Sequence, residues 1–251
     1  MNLRPSLRPL LSLAALTSAF SLAACGRVPG QFEILNDQVP SAGSTGCVVA
    51  VNPILYQGVG RLDLAVVQSN AHTAYLFFPL LQNNLPRSSG TLDPNEIQLK
   101  GFNVDITSLA GTTPGTDAVL AGNAAAHFRS TWSGSLASGG SQLTATVDAF
   151  PVSLASELFG NGGVSAEPDA TLNLHVQAIG TTVGGTDMQS DPFDFPLEIC
   201  VGCLIANVQS CPYTSAPANP GNPCNVAQDD FVDCCTDSSG SLICPPPVAS
   251  K

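Results

Sequence analysis

The chain holds 251 residues, of which 44% are hydrophobic and 11% charged, with 8 Lys+Arg against 19 Asp+Glu and a formal net charge of -11. Eight scattered cations cannot build the basic stripe that phosphate backbones require, which excludes a nucleic-acid partner, and the same balance argues against a folded face that binds anionic lipid headgroups. An ordinary soluble domain is about a quarter charged, so Ser, Thr, Asn, Gln and Gly must carry this surface.

Arg4 and Arg8 give the chain a positive start, and Leu10 to Leu22 (LLSLAALTSAFSL) follow as an uncharged apolar run. A helix needs about 20 such residues to span a bilayer, so the run has the length of a signal-peptide core instead. It ends in Leu22-Ala23-Ala24-Cys25-Gly26. That pentapeptide resembles the lipobox of bacterial lipoproteins: a branched residue, two small ones, then the cysteine that receives lipid before the signal is cut away. The resemblance implies that residues 1–24 are a lipoprotein signal peptide and that Cys25 is the lipidation site, acylated with chains such as palmitate. The membrane is then a partner through the N-terminal lipid, each buried CH₂ contributing about 0.8 kcal/mol. Gly26, in place of an aspartate after the cysteine, implies a lipid-anchored protein of the outer membrane, on its periplasmic face or at the cell surface. Ordinary secretion with Cys25 left free is the competing reading; a free exposed thiol is a liability in an oxidising compartment.

Residues 25–44, punctuated by Pro29, Gly30, Pro40 and Gly43, read as a lipidated tether. From 45 to 201 the pattern is alternation between turns. Strands are expected at Cys47–Val51, Leu62–Val67, Ala74–Leu81, Glu96–Ile106, Ala126–Trp132, Leu143–Leu154, Thr171–Ile179 and Phe193–Val201. Leu172, Leu174, Val176 and Ala178 define one face at period two, with Asn173, His175 and Gln177 on the other; Phe128, Ser130 and Trp132 oppose His127, Arg129 and Thr131 likewise. Ile97 and Leu99 lie on odd positions but Phe102, Val104 and Ile106 on even ones. A one-residue bulge at Lys100-Gly101 would return both sets to the core. A similar phase change surrounds Pro151, which places that strand end at an edge or a bend. Helix is expected only as about one turn at Ser153–Phe159, before Gly160. No internal repeat is visible. The expected fold is mainly β, a β-sandwich (Ig-like or related) of about eight strands, with a barrel as its competitor.

The third region, 202–251, reads as a Cys-rich disulfide module, because about fifty residues cannot fold by burial alone. With Cys25 set aside, Cys47, Cys200, Cys203, Cys211, Cys224, Cys234, Cys235 and Cys244 are the disulfide candidates, and their pairing is open. Zinc at Cys200-x-x-Cys203 is disfavoured, since no histidine follows residue 175. Cys47, far from the rest, must reach the tail if it pairs at all. Phe193-Asp194-Phe195-Pro196-Leu197-Glu198-Ile199-Cys200-Val201-Gly202-Cys203-Leu204, then Asn222-Pro223-Cys224-Asn225 and Gln228-Asp229-Asp230-Phe231-Val232-Asp233-Cys234-Cys235, resemble the C-terminal block of exported lipoproteins from myxobacteria. The resemblance implies location and architecture, and no activity. The Cys234-Cys235 pair is also similar to that of cystine-knot miniproteins, but only Cys244 follows it, so neither knot topology nor inhibition carries over.

Candidate chemistry is sparse. No G-x-S-x-G turn is present; Gly134-Ser135 runs into Leu136-Ala137. His72, His127 and His175 are far apart in sequence and read as solvated strand residues rather than metal ligands. Asp187, Asp191 and Asp194, and Asp229, Asp230, Asp233 and Asp237, have the oxygen density of a calcium site without its loop spacing, and read as acidic surface. Nothing selects a carboxylate pair for glycoside hydrolysis, and Trp132 reads as core. No catalytic residue, metal or cofactor is expected. The reading is a non-catalytic, lipid-anchored envelope protein with a structural, adhesive or partner-binding role, its partner a protein or glycan. The alternative is an exported enzyme, or a calcium- or zinc-dependent binder, using His127, His175 or the aspartates.

Overall fold

A computed structural model describes residues 30–44, 46–52, 54–69, 74–161, 164 and 170–248; the signal segment, Cys25 and His72 lie outside these residues. In chain order, β1 (Phe32–Gln38), β2 (Ser41–Gly43), β3 (Gly46–Val48), β4 (Tyr56–Gln57) and β5 (Gly60–Asp63) precede the short helix α1 (Leu64–Ser69). Next come β6 (Tyr75–Phe77), β7 (Pro79–Asn83), the long β8 (Ile97–Ala110), α2 (Pro114–Gly122), β9 (His127–Ser130), β10 (Gly134–Leu136), β11 (Ser141–Thr144) and β12 (Val147–Phe150). The chain then forms α3 (Val152–Asn161), β13 (Ala170–Thr182), β14 (Asp187–Gln189), β15 (Phe193–Cys200), β16 (Ile205–Ser210), β17 (Val232–Thr236) and β18 (Leu242–Ile243). The protein is mainly β, as the alternation predicts.

Two sheets enclose the core. One has the order β11-β7-β1-β4; the other has the path β10-β8-β13-β15-β5, with β9 on β8 and β14 on β13. Phe32, Ile34 and Leu81 of the first sheet share one apolar cluster with Phe102, Val104, Leu172, Leu174 and Val176 of the second. Burying each such side chain contributes about 1.5–3 kcal/mol, and the period-two faces leave no other place to put them. Most pairs are antiparallel, but β15 joins β5 and β16 joins β17 in parallel.

The bulge expected in β8 is present. Gly101 pairs with Ile179 and Leu99 with Gly180, so Lys100 is the extra residue, and Ile97, Leu99, Phe102, Val104 and Ile106 are all buried. Gly101 has φ 134° and a Cβ there would collide with the Ser130 carbonyl oxygen, so this position requires glycine.

Several segments depart from expectation. Residues 32–38, inside the span read as a tether, form β1 at the heart of the first sheet, because Phe32, Ile34 and Asp37 are buried there. Leu62–Val67 was expected as one strand; the chain leaves β5 at Asp63 and turns into α1, with the Asp63 carboxylate accepting from the Ala65 amide at 2.9 Å and Leu64, Val66 and Val67 buried. Past Pro151 the phase change marks α3, ten residues rather than one turn, with Leu154, Ala155 and Leu158 on its buried side. Helix α2 was not foreseen. Among the described residues between 45 and 201, thirteen strand segments, β3 to β15, stand where about eight are expected, since breaks such as Phe78 divide the longer runs.

All eight described cysteines pair: Cys47–Cys224, Cys200–Cys203, Cys211–Cys235 and Cys234–Cys244. Cys47 does reach the tail, across a separation of 177 residues. The tail itself enters the main core, where Ala227, Val232, Cys234 and Cys244 belong to the same cluster as the sheets. Gln228 completes the edge of β6 like a short strand, its side chain accepting from the Leu76 amide at 2.8 Å and donating to the Leu76 carbonyl at 3.0 Å.

Candidate functional site

The polar face of the seven-stranded sheet follows directly from its alternation. With Phe102, Val104, Val176 and Ala178 turned to the core, Asn103, Asp105, His175 and Gln177 must point outward. Register aligns them in rows: His127 of β9 opposes Asp105 of β8, Asp105 opposes His175 of β13, and His175 opposes Asp194 of β15. The result is an alternating His–Asp row across four strands. His127 Nδ1 lies 2.9 Å from Asp105 Oδ1. His175 Nδ1 contacts Asp194, and its Nε2 lies 3.0 Å from Thr107 Oγ1. A parallel row runs Arg129, Asn103, Gln177.

Hydroxyl, imidazole and carboxylate thus stand in the order a hydrolase uses. The surroundings differ. Thr107 sits within the β8–β13 ladder opposite Asn173, on a flat strand face rather than at the tight turn that presents a hydrolase nucleophile.

A hollow lies along the same face at the bulge. A cavity of about 500 Å³ is lined by Lys100, Asn103, Arg129, Ile179, Met188 and Gln189, with Gly180 and Asp187. A second, shallow and open hollow of about 470 Å³ shares Lys100 and Arg129 and is bordered by Leu99, Thr131, Trp132 and Ser133. The bulge explains the convergence, because an extra residue re-aims the side chains around it. Arg129 Nη2 donates to the Lys100 carbonyl at 3.2 Å. Asp187 accepts from Thr181 Oγ1 at 2.7 Å and faces Lys100 Nζ at 3.5 Å; these two contacts hold its carboxyl below the usual range. Trp132, read from sequence as core, is half-buried and packs against the core cluster with its ring resting over Gly134, and its remaining exposed part borders the second hollow. The register break at Lys100 is the sequence signal for this site; Asn103 and Gln189 carry none of their own.

The other candidates serve as anchors. Asp229 accepts from Gln57 Nε2 at 2.6 Å, Arg61 N at 2.9 Å and Gln228 Nε2 at 2.9 Å, which ties the tail to β4 and β5. Burial raises its carboxyl nonetheless, against those hydrogen bonds. Asp233 accepts from the amides of Ala218 and Asn219, and Asp237 from those of Ser239 and Ser241. Asp187, Asp191 and Asp194 lie on or beside β14 and β15 and do not gather. Among the described residues the group with metal-ligand spacing is Asp63, Cys200 and Cys203. It fits a metal poorly, since the two sulfurs are bonded to each other and the Asp63 oxygens accept from Ala65, Gly202 and Leu204. A deeper pair, Asp37 and Tyr75, is buried beside Asp229. Desolvation raises the Asp37 carboxyl well above the ordinary value, opposed by the Phe78 amide and reinforced by the Asp229 charge. No family model, curated protein or solved structure matches the chain.

Proposed function

We propose that this is a non-catalytic, lipid-anchored envelope protein of the outer membrane that binds a partner through its exposed surfaces. The observation that carries the reading is the cysteine pairing. The eight cysteines from Cys47 to Cys244 consume one another, which suits an oxidising compartment and leaves Cys25, in its lipobox-like setting, as the odd one. Partner binding draws support from the stretch 39–59, which has no charged residue and exposes Ile54, Leu55 and Tyr56; exposed apolar groups gathered in this way mark interaction surfaces. The test is metabolic labelling with an alkyne analogue of palmitate. Label should enter the wild-type chain and be lost in Cys25→Ser; label retained in Cys25→Ser overturns the anchor.

A second reading, an exported hydrolase, draws on the Thr107–His175–Asp194 order. Ester hydrolysis by the purified chain that disappears in His175→Ala would establish it. We expect no such hydrolysis, and no more than about 1 kcal/mol of stability from this exposed pair.

A further inference from the structure

We propose that the hollow at the β8 bulge is a binding site for a saccharide bearing a carboxylate, gripped by Arg129 and Lys100 with Trp132 at its rim. The inference rests on the binding-protein reading above and gives it a ligand class. Charge distribution is the first argument. The chain is strongly acidic, and its cations among the described residues are Arg61, Arg87, Lys100 and Arg129. Arg61 is engaged with Glu198 at 3.0 Å. Lys100 and Arg129 line the same two adjoining cavities, so the hollow is a place where this acidic surface presents positive charge.

The chemistry of the lining is the second argument. One guanidinium nitrogen of Arg129 is fixed to the Lys100 carbonyl, which orients the fork, and a guanidinium fork matches a carboxylate with two parallel hydrogen bonds. The Lys100–Asp187 pair is long and exposed on both sides, so it is weak and leaves Lys100 available to a second anion. Asp187 remains ionised and accepts from sugar hydroxyls, while the amides of Asn103 and Gln189 both donate and accept. Ile179 supplies an apolar floor, and the part-exposed Trp132, whose other side packs on the core, borders the adjoining hollow beside Arg129. A pyranose, with C–H groups on its faces and hydroxyls around its rim, meets each of these. Both cavities have the volume of small-ligand sites, which run to about 300–1,000 Å³.

Trp132 is the one tryptophan of the chain, so intrinsic tryptophan fluorescence reports from the rim beside Lys100 and Arg129 alone. The full chain, solubilised in detergent, is titrated with trigalacturonic acid and separately with maltotriose. Trigalacturonic acid should change the fluorescence saturably, with affinity falling in about 0.5 M salt as screening shortens the reach of the charges. Arg129→Gln, an exposed position, should weaken binding at least about tenfold, and maltotriose should give no saturable change. The proposal is overturned if trigalacturonic acid gives no saturable change, or if Arg129→Gln binds it as tightly as wild type. Equal binding of maltotriose removes the carboxylate requirement and so refutes this ligand class, while leaving the partner-binding reading standing. Turnover of an ester in place of binding would refute that broader reading as well.

Discussion

Removing the Cys47–Cys224 bridge isolates the contribution of chain closure. Cys47 lies in β3, whose three residues are exposed, so the double substitution Cys47→Ala with Cys224→Ala empties no core. The other three bridges close loops of 3, 10 and 24 residues and do not shortcut the 177-residue separation between Cys47 and Cys224. In the chain-entropy account a loop of that length constrains the unfolded chain by about 5 kcal/mol, against about 2 kcal/mol for a Cys-x-x-Cys loop. For a chain of this size 1 kcal/mol moves Tm by about 2–4 °C, so the double variant should melt about 10–20 °C lower. Thermal scans and urea titrations of the two double variants, Cys47/Cys224→Ala and Cys200/Cys203→Ala, give the comparison. Cys200 is fully buried, so its variant also loses packing, which narrows the gap without reversing it. The reasoning is refuted if the long-range variant melts within about 3 °C of wild type, or if the short-loop variant loses more.

Asp37→Asn keeps an oxygen to accept from the Phe78 amide, 2.6 Å from the present carboxylate, and removes a buried charge. Because burial raises the folded-state pKa of Asp37, the stability this group confers is full at low pH and is lost as pH rises through that raised value. The variant should therefore gain Tm over wild type at neutral and alkaline pH, with the advantage vanishing near the ordinary carboxylate range; a pH-independent difference refutes the assignment. Gly101→Ala forces a side chain into positive φ against the Ser130 carbonyl and should cost at least about 1–3 kcal/mol in urea unfolding; an unchanged midpoint would mean that the bulge relaxes freely. Phe195→Ala opens the junction where that ring meets Phe77 at 5.2 Å and Tyr75 at 6.0 Å, and should cost about 3–5 kcal/mol by the same measurement.

The parts of the fold that were legible in sequence are those whose signal is local and periodic. The inner faces of β8, β13 and β15 follow from alternation, and the bulge at Lys100 from a change of phase. Helix α2 carries a local signal in a stretch where no strand is expected: Thr113 caps it, accepting from the Thr116 amide at 3.2 Å, and Pro114 occupies its first turn. Helix α1 has a weaker one, because Val66 and Val67 favour strand and the turn at Asp63 is held by its carboxylate, which accepts from the Ala65 amide and from the distant Gly202 and Leu204 amides. β1 escaped notice because its burial depends on β7 and β4, which lie far along the chain. The hollow was legible only residue by residue, since Lys100, Arg129 and Gln189 meet through pairings of β8 with β9 and of β13 with β14. The anchoring role of Asp229 has no local trace at all; its partners Gln57 and Arg61 lie 172 and 168 residues away.

The entry of the tail into the core fixes an order of assembly. Delivery from the N-terminus brings β1 first and Val232, Cys234 and Cys244 last to the place where the chain folds, yet all belong to one apolar cluster. Until Gln228 emerges, the edge of β6 at Leu76 has its amide and carbonyl open to any passing strand. Cys47 meanwhile waits through most of synthesis for Cys224, with Cys200, Cys203 and Cys211 arriving before its native partner. Pairing with any of these first would leave Cys224 without its partner, so the native pattern requires the late residues to dock before Cys47 is committed.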